Sequence, residues 1–315
     1  MSILVIDKPS GPSSFTVCKR VRGMLRAPGQ KVGHGGTLDP FASGVLPVCL
    51  GEGTKVLPFL LGADKTYEAV VRFGMETDTL DATGKVIAEH PLTGLDVASV
   101  ASALADFRGE IEQIPPMYSA LKHAGRPLYV YARRGQNVER RPRRVTIHAL
   151  DMLGFVSPDR VRLRVRCSKG TYIRSLAADL GTRLGVGGHL LELRRTAAGP
   201  FRIEQAITLE EVGATLAAGR PLPEISEVDA LSHLPRLCVD EPQALSLVHG
   251  KDMAWRTLGR GDAPADGPAC AVLDSAQGPR LIAIVTPETD GRVKILRGFQ
   301  QAREALGLGS VAERK

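Results

Sequence analysis

The chain is poor in the features that announce a disulfide scaffold, a metal centre or a membrane protein. Its five cysteines (Cys18, Cys49, Cys167, Cys238 and Cys270) are far apart, odd in number and never arranged as CxxC. That argues against a disulfide framework or a zinc site and fits a reducing cytoplasm. The seven histidines show no ligand spacing, so no metal is expected. No apolar run approaches the length of a membrane span. Residues 2–7 are apolar only briefly and lack a basic leader, which does not read as a signal peptide. There is no internal repeat, and no helix-turn-helix or zinc-finger spacing to suggest a DNA-binding module.

What is present is a chain of 315 residues with 43% hydrophobic residues, enough for a normal core and long enough to suggest two domains. The formal charge is +7 and the pI about 9.3, which points to an acidic partner. Residues 231–315 hold 11 basic and 10 acidic residues, so the excess positive charge lies in the first 230. A polyanion should bind mainly there.

Strands and helices alternate irregularly. Strands are expected at 3–6, 44–50, 67–73 and 189–193, with two more within 145–167 joined at Ser157-Pro158-Asp159. Helices are expected at about 13–25, 54–61, 97–107 and 171–184, the last ended by Gly185. This order suits an α+β fold with a mixed, largely antiparallel sheet flanked by helices. Proline and glycine between 219 and 235 suggest a boundary. Short strands follow at 271–274, 281–285 and 293–296, read as a small barrel-like β domain over 231–300. Residues 301–315 are expected to fray as a flexible tail.

Four segments hold candidate chemistry. In residues 32–44, VGHGGTLDPFASG, four glycines surround Asp39, and Pro40 drives that acid away from helical conformations. Such a loop can hold one carboxylate in one place, or it can be a turn that the acid merely caps. In CSKGTYIRSL (167–176), a strand ends and a helix begins. Arg174 sits in the helix's first turn, where the dipole disfavours it unless an acid is paired with it. Residues 161–166, VRLRVR, present three arginines on one strand face, suited to an RNA backbone or to an ordinary exposed sheet. Residues 122–144 carry Lys122, Arg126, Arg133, Arg134, Arg140, Arg141, Arg143 and Arg144 against Glu139, with Tyr129 and Tyr131 interleaved. Basic and aromatic together, this stretch reads as a nucleic-acid-gripping insertion, about 119–145.

Taken in order, six motifs resemble the TruB family of tRNA pseudouridine synthases along nearly the whole chain. They are Lys8-Pro9 with Gly11 and Ser13-Ser14; Gly33-His34 through Leu38-Asp39-Pro40; Lys65-Thr66-Tyr67; IPPMYSALK (114–122); residues 168–176; and Leu193-Arg194-Arg195-Thr196. One departure is Gly35, where the family usually has threonine; it should loosen the loop and alter its local hydrogen bonding.

The resemblance implies a pseudouridine synthase fold over 1–230 and a PUA-like RNA-binding domain after it. It implies isomerisation of uridine 55 in the T-arm of tRNA, with cleavage of the N1–C1′ bond, rotation of the base and rejoining through C5. No cofactor is implied, because no atom is added. Asp39 is then the catalytic carboxylate, as nucleophile at C1′ or as base at C2′, and Arg174 its ion-pair partner. Tyr67 stacks on the base; Tyr172 and Leu193 line the pocket; His34 takes the space left by extruded nucleotides; Lys8 supports the site. The basic insertion clamps the T-arm without a guide RNA, and the chain acts as a monomer. The near-neutral C-terminal domain grips weakly and is expected to be dispensable for chemistry. The alternative is a tRNA-folding chaperone whose catalysis is incidental. A guide-RNA-dependent relative of the dyskerin type is a third reading.

Overall fold

A computed structural model describes residues 2–26, 29–261, 264–276 and 278–308. In chain order the first half runs β1 (Ser2–Lys8), α1 (Ser14–Met24), β2 (Val32–His34), β3 (Ser43–Leu50), α2 (Leu57–Leu60), β4 (Lys65–Phe73), β5 (Met75–Thr77), β6 (Val86–Glu89), α3 (Val97–Ala105), β7 (Gly109–Gln113), β8 (Lys122–His123), β9 (Arg126–Pro127) and α4 (Leu128–Ala132). It continues through β10 (Arg143–Ser157), β11 (Arg160–Cys167), α5 (Ile173–Leu184), β12 (Gly188–Ala198), β13 (Phe201–Arg202), α6 (Leu209–Ala217) and α7 (Glu227–Ala230). The C-terminal part comprises β14 (Arg236–Cys238), α8 (Glu241–Val248), β15 (Ala269–Leu273), β16 (Arg280–Pro287), β17 (Val293–Gly298) and α9 (Gln300–Ala305).

The main sheet has the order β1-β3-β12-β4-β11-β10-β7, with β2 added to β3 and β13 to β12. Only β3 and β12 run parallel; the other pairs are antiparallel. The α+β class and mixed sheet are therefore as expected. Alternation explains β4: Tyr67, Ala69, Val71 and Phe73 are buried while Glu68 and Arg72 are half-exposed. In β11 the same period buries Val161, Leu163 and Val165 and leaves Arg162, Arg164 and Arg166 outside. Two of those arginines pair with acids from elsewhere, Arg164 with Glu68 at 3.2 Å and Arg166 with Asp64 at 3.4 Å. The acids that the strand lacks are supplied by β4 and the turn before it.

Local chemistry sets the helix ends. The Ser13 hydroxyl accepts the Thr16 N–H and starts α1. Gly185, at φ +73°, stops α5 in the left-handed conformation that favours glycine. The helix expected at 54–61 is two pieces, a 3-10 turn over Gly51–Val56 followed by α2, with Pro58 in its first turn.

The C-terminal strands form a four-stranded sheet, β14-β15-β16-β17, in which β14 lies parallel to β15. Residues 253–260 bridge its two edges, Arg260 pairing with Cys238 of β14 and Met253 and Trp255 bonding to Val293 and Gly291 at the start of β17, which gives the small β domain its expected barrel-like character. One apolar core joins the two parts of the chain: Ile3, Val5, Val45, Val56, Leu60 and Phe201 pack with Val272, Leu281, Ile284 and Phe299. Of the expected tail, residues up to 305 lie in α9, where Ala302 is buried. Residues 309–315 lie outside the described residues. No described helix is long and apolar enough to cross a membrane.

Candidate active site

The segment between β2 and β3 is held from below by the N-terminal motif. Lys8, fully buried at the end of β1, donates from Nζ to the carbonyls of Pro9 (2.9 Å), Pro40 (3.0 Å) and Ala42 (2.6 Å). The Ser14 hydroxyl accepts from the Leu38 N–H at 2.9 Å and donates to the Leu38 carbonyl at 3.0 Å. Gly11 N–H donates to the Pro40 carbonyl, and Ser10 to that of Phe41. Four residues from the end of β1 to the start of α1 thus fix the backbone on both sides of Asp39. Burial brings the Lys8 ammonium down to about 8, against the pull of Asp39. It touches loop backbone and is absent from the cleft wall. In this structure it braces the loop that carries Asp39.

Arg195 braces the same loop from β12. It is almost wholly buried, and its guanidinium donates to the carbonyls of Val45 (2.8 Å), Gly36 (3.0 Å) and Thr37 (3.4 Å). β3 crosses β12 so closely that a Cβ on Gly44, at φ +103°, would overlap the Arg195 carbonyl oxygen. Gly35 is different. It has no left-handed φ, a Cβ there would meet Pro47 and Leu60 at 3.4–3.6 Å, and its N–H donates to the Pro47 carbonyl.

Asp39 meets Arg174 across the cleft, with Oδ2 2.9 Å from Nε. The Arg174 side chain is only 4% exposed, whereas Asp39 keeps a third of its surface open to the cleft. The same guanidinium lies 3.4 Å from Asp81 and donates to the carbonyls of Thr79 (3.1 Å) and Tyr118 (2.8 Å). Asp81 is itself held by Thr79 and Thr83, whose hydroxyls donate to its Oδ1 together with the Thr83 N–H. Burial of its carboxyl group pushes Asp39 above the usual carboxylate range; Arg174 and Lys8 oppose the shift, and Asp81 adds to it. The paired acid that Arg174 needed at its helix start is present twice over.

Around this pair lies a cleft of about 600 Å³, lined by Leu38, Asp39, Lys65, Tyr67, Tyr172 and Leu193 among others. Burial raises the hydroxyl pKa of Tyr67, opposed mainly by the facing Arg195, and that of Tyr172, opposed by Ser119. Both are neutral phenols at neutral pH. Tyr172 caps α5, and the Gln113 side chain clamps its backbone in both directions, at 2.7 and 3.0 Å. His34 is half-buried on β2, outside the cleft wall, with its Nδ1 unpartnered. Burial, aided by Arg195, holds His34 below the ordinary histidine range.

The basic insertion stands beside the cleft. Lys122, Arg126, Arg133, Arg134, Arg141, Arg143 and Arg144 are exposed, while half-buried Arg140 donates to the Pro115 carbonyl. Arg144 pairs loosely with Glu110 at 3.3 Å, and Arg133 lies over the Tyr129 ring. A second cavity of about 450 Å³ beneath it is lined by Lys122, Arg140, Arg141 and Arg143 with Leu121 and Leu128.

Asp81 and Arg195 are the residues that pattern reading missed. The clue to Asp81 was TDTLDATG (77–84), dense in residues whose side chains hydrogen-bond their own turn. Arg195 stood within a noted motif but had no assigned role. Among the described residues no cluster of three or more His, Cys, Asp or Glu could hold a metal.

Residues 22–173 match the N-terminal domain of the TruB family pseudouridylate synthases, and residues 174–229 the C-terminal domain of tRNA pseudouridylate synthase B. The tRNA pseudouridine synthase B of Aromatoleum aromaticum is 53% identical over 253 residues, 80% of each chain. That of Cupriavidus pinatubonensis is 47% identical over 285 residues, 90% of this chain and 89% of its own. Among solved structures, one of a Cbf5-Nop10-Gar1 complex aligns with a TM-score of 0.73 and 28% identity, over 94% of this chain and 84% of that one. A structure of an H/ACA RNP bound to a substrate RNA containing 2′-deoxyuridine aligns at 0.72 and 26%, over 95% and 84%. The chain thus belongs to the TruB family of tRNA pseudouridine synthases and is an enzyme, an isomerase.

Proposed function

We propose that this enzyme converts uridine 55 in the T-arm loop of tRNA to pseudouridine, with Asp39 as the catalytic carboxylate. The observation that carries the proposal is the Asp39–Arg174 ion pair at 2.9 Å, in a cleft whose walls are the two phenols and Leu193. A uridine inside a folded loop must leave its stack to reach that depth, at a cost of a few kcal/mol. Tyr67 offers its ring to the uracil, and Tyr172 and Leu193 close the pocket around it. His34, next to the loop but outside the cleft wall, is placed for the neighbours of the extruded nucleotide.

The chemistry follows from one carboxylate. Asp39 attacks C1′ as N1–C1′ breaks and uracil leaves as an anion, or it removes the C2′ proton so that a glycal forms. The base then turns; C5 bonds to C1′ as the Asp39–C1′ bond breaks in the first route, or as the proton returns to C2′ in the second, and in both the C5 proton is lost while N1 gains one. The product is an isomer of the substrate, and the balance requires no cofactor. Tyr67, held neutral by burial, can relay the C5 proton by accepting one as it gives one. Arg174 keeps the acid aimed at the sugar, and Asp81 keeps Arg174 in place.

The exposed cations of the insertion suit the phosphates of the T-arm, so that the enzyme works on naked tRNA without a guide RNA; a cytoplasmic monomer suffices for that task. The decisive experiment incubates purified protein with a T-arm stem-loop alone and maps the modified nucleotide. Asp39→Asn should abolish pseudouridine formation while tRNA binding is retained; substantial turnover by that variant would refute the assignment. No modification of naked RNA by the intact enzyme would favour a guide-dependent mode of action instead. Rescue of tRNA folding by Asp39→Asn would reveal chaperone activity alongside catalysis.

A further inference from the structure

Helix α1 carries a basic face that neither the site nor the insertion uses. Its inner face, Val17, Cys18 and Val21, is buried against Leu4, Ile6, Leu46 and Val48. On the outside, Phe15, Lys19 and Arg22 follow at intervals of four and three residues, which places them along one stripe, and exposed Arg26 lies just past the helix end. Arg20 lies beside it, also exposed. There is no acid in the helix, and no ion pair involves these cations among the described residues. Other surface arginines here do find acids, as Arg164 and Arg166 do.

Phe15 is 63% exposed, and the Lys19 ammonium stands 4.9 Å from its ring centroid. The ring stands among cations that lack acidic partners and repel one another, an arrangement of aromatic and basic groups that suits nucleic acid. An RNA strand answers both, because phosphates meet the cations and a base or ribose covers the ring.

The position strengthens the case. Ser14, next to Phe15, is the residue bonded to both the N–H and the carbonyl of Leu38, so the stripe begins at the catalytic loop. In the sheet order, α1 packs on the β1–β3 end, whereas the insertion rises between β7 and β10 at the other end. Asp39 lies between the two basic surfaces. From Phe15 to Arg22 the stripe runs roughly 10 Å along the helix, enough to follow more than one phosphate.

We infer that the outer face of α1, Phe15 with Lys19 and Arg22, is a second RNA-contacting surface that grips the backbone of the substrate RNA on the side of the cleft opposite the insertion. The inference rests on the assignment of tRNA as substrate.

The test measures tRNA binding by Lys19→Gln/Arg22→Gln across a salt series. Both residues are solvent-facing, and an unchanged thermal melt will verify the fold. The expected result is binding about tenfold weaker at moderate salt and a log K against log salt slope shallower by about 0.9 per lost phosphate contact. Affinity and slope equal to those of the unsubstituted enzyme would overturn the inference. In a second variant, a photoreactive phenylalanine analogue at position 15 should crosslink to bound tRNA, and absence of an adduct counts against the surface. Failure of the unsubstituted enzyme to bind or modify tRNA would instead refute the substrate assignment, which separates the two.

Discussion

At the scale of single residues, the acid in the cleft is under opposed influences. Burial and Asp81 favour its protonated form, while Arg174 and Lys8 favour the ionised one, and burial prevails. A carboxylate that must be ionised to react, with a raised pKa, loses activity as pH falls through that raised value. The acid limb of the pH–rate profile should therefore lie above the ordinary aspartate value of about 3.9. Asp81→Asn removes one of the charges that raise it, so the limb should move to lower pH. The plateau should also drop, because Arg174 loses one of its holders. A limb that stays in place would mean that Asp81 does not act on Asp39 through charge. The helix position of Arg174 made an acidic partner plausible, but its identity as Asp39 came from the family resemblance. Asp81 was not legible in the sequence, because nothing in a Thr/Asp-rich turn reveals which distant guanidinium it will face.

At the scale of elements, the catalytic loop is held by groups that read as ordinary turn chemistry. Lys8, Ser14 and Gly11 look like a strand end, a helix cap and a turn, and pattern alone gives them no role. Their partners are the carbonyls and N–H of residues 38–42, brought near only when β1 pairs with β3. Lys8→Met should strip three hydrogen bonds, leave the buried Ala42 carbonyl unpaired and cost about 3 kcal/mol. Denaturant unfolding measures the loss, and a fall in kcat should accompany it. The two loop glycines make opposite predictions. Gly35→Ala fits the available space and should raise stability by about 0.5 kcal/mol through a stiffer unfolded chain. Gly44→Ala meets the Arg195 backbone and should destabilise by at least about 2 kcal/mol. Thermal melts of the pair check both signs at once.

At the scale of the whole molecule, the order of strands and helices was readable in outline, because β4 and β11 alternate and α1, α3 and α5 carry caps or stops. The C-terminal part was less so. Its strands are short and partly buried on both faces, so period alone did not reveal that they share a core with β1 and β3. That shared core bears on the expectation of a dispensable domain. Truncation after residue 230 uncovers Ile3, Val5, Val45 and Phe201, so the shortened protein should melt earlier and aggregate, which light scattering on heating detects. A truncated protein as heat-resistant as the full chain would show that the core gains nothing from its partner.

Arg174 also spans a junction. Its guanidinium holds the Tyr118 carbonyl, immediately ahead of the arm that begins near residue 119, as well as the carboxyl group of Asp39. On the proposed reading, in which the arm grips RNA and Asp39 reacts, a tug at the arm's root would reach the acid through this one guanidinium, and seating the substrate would become part of aiming it.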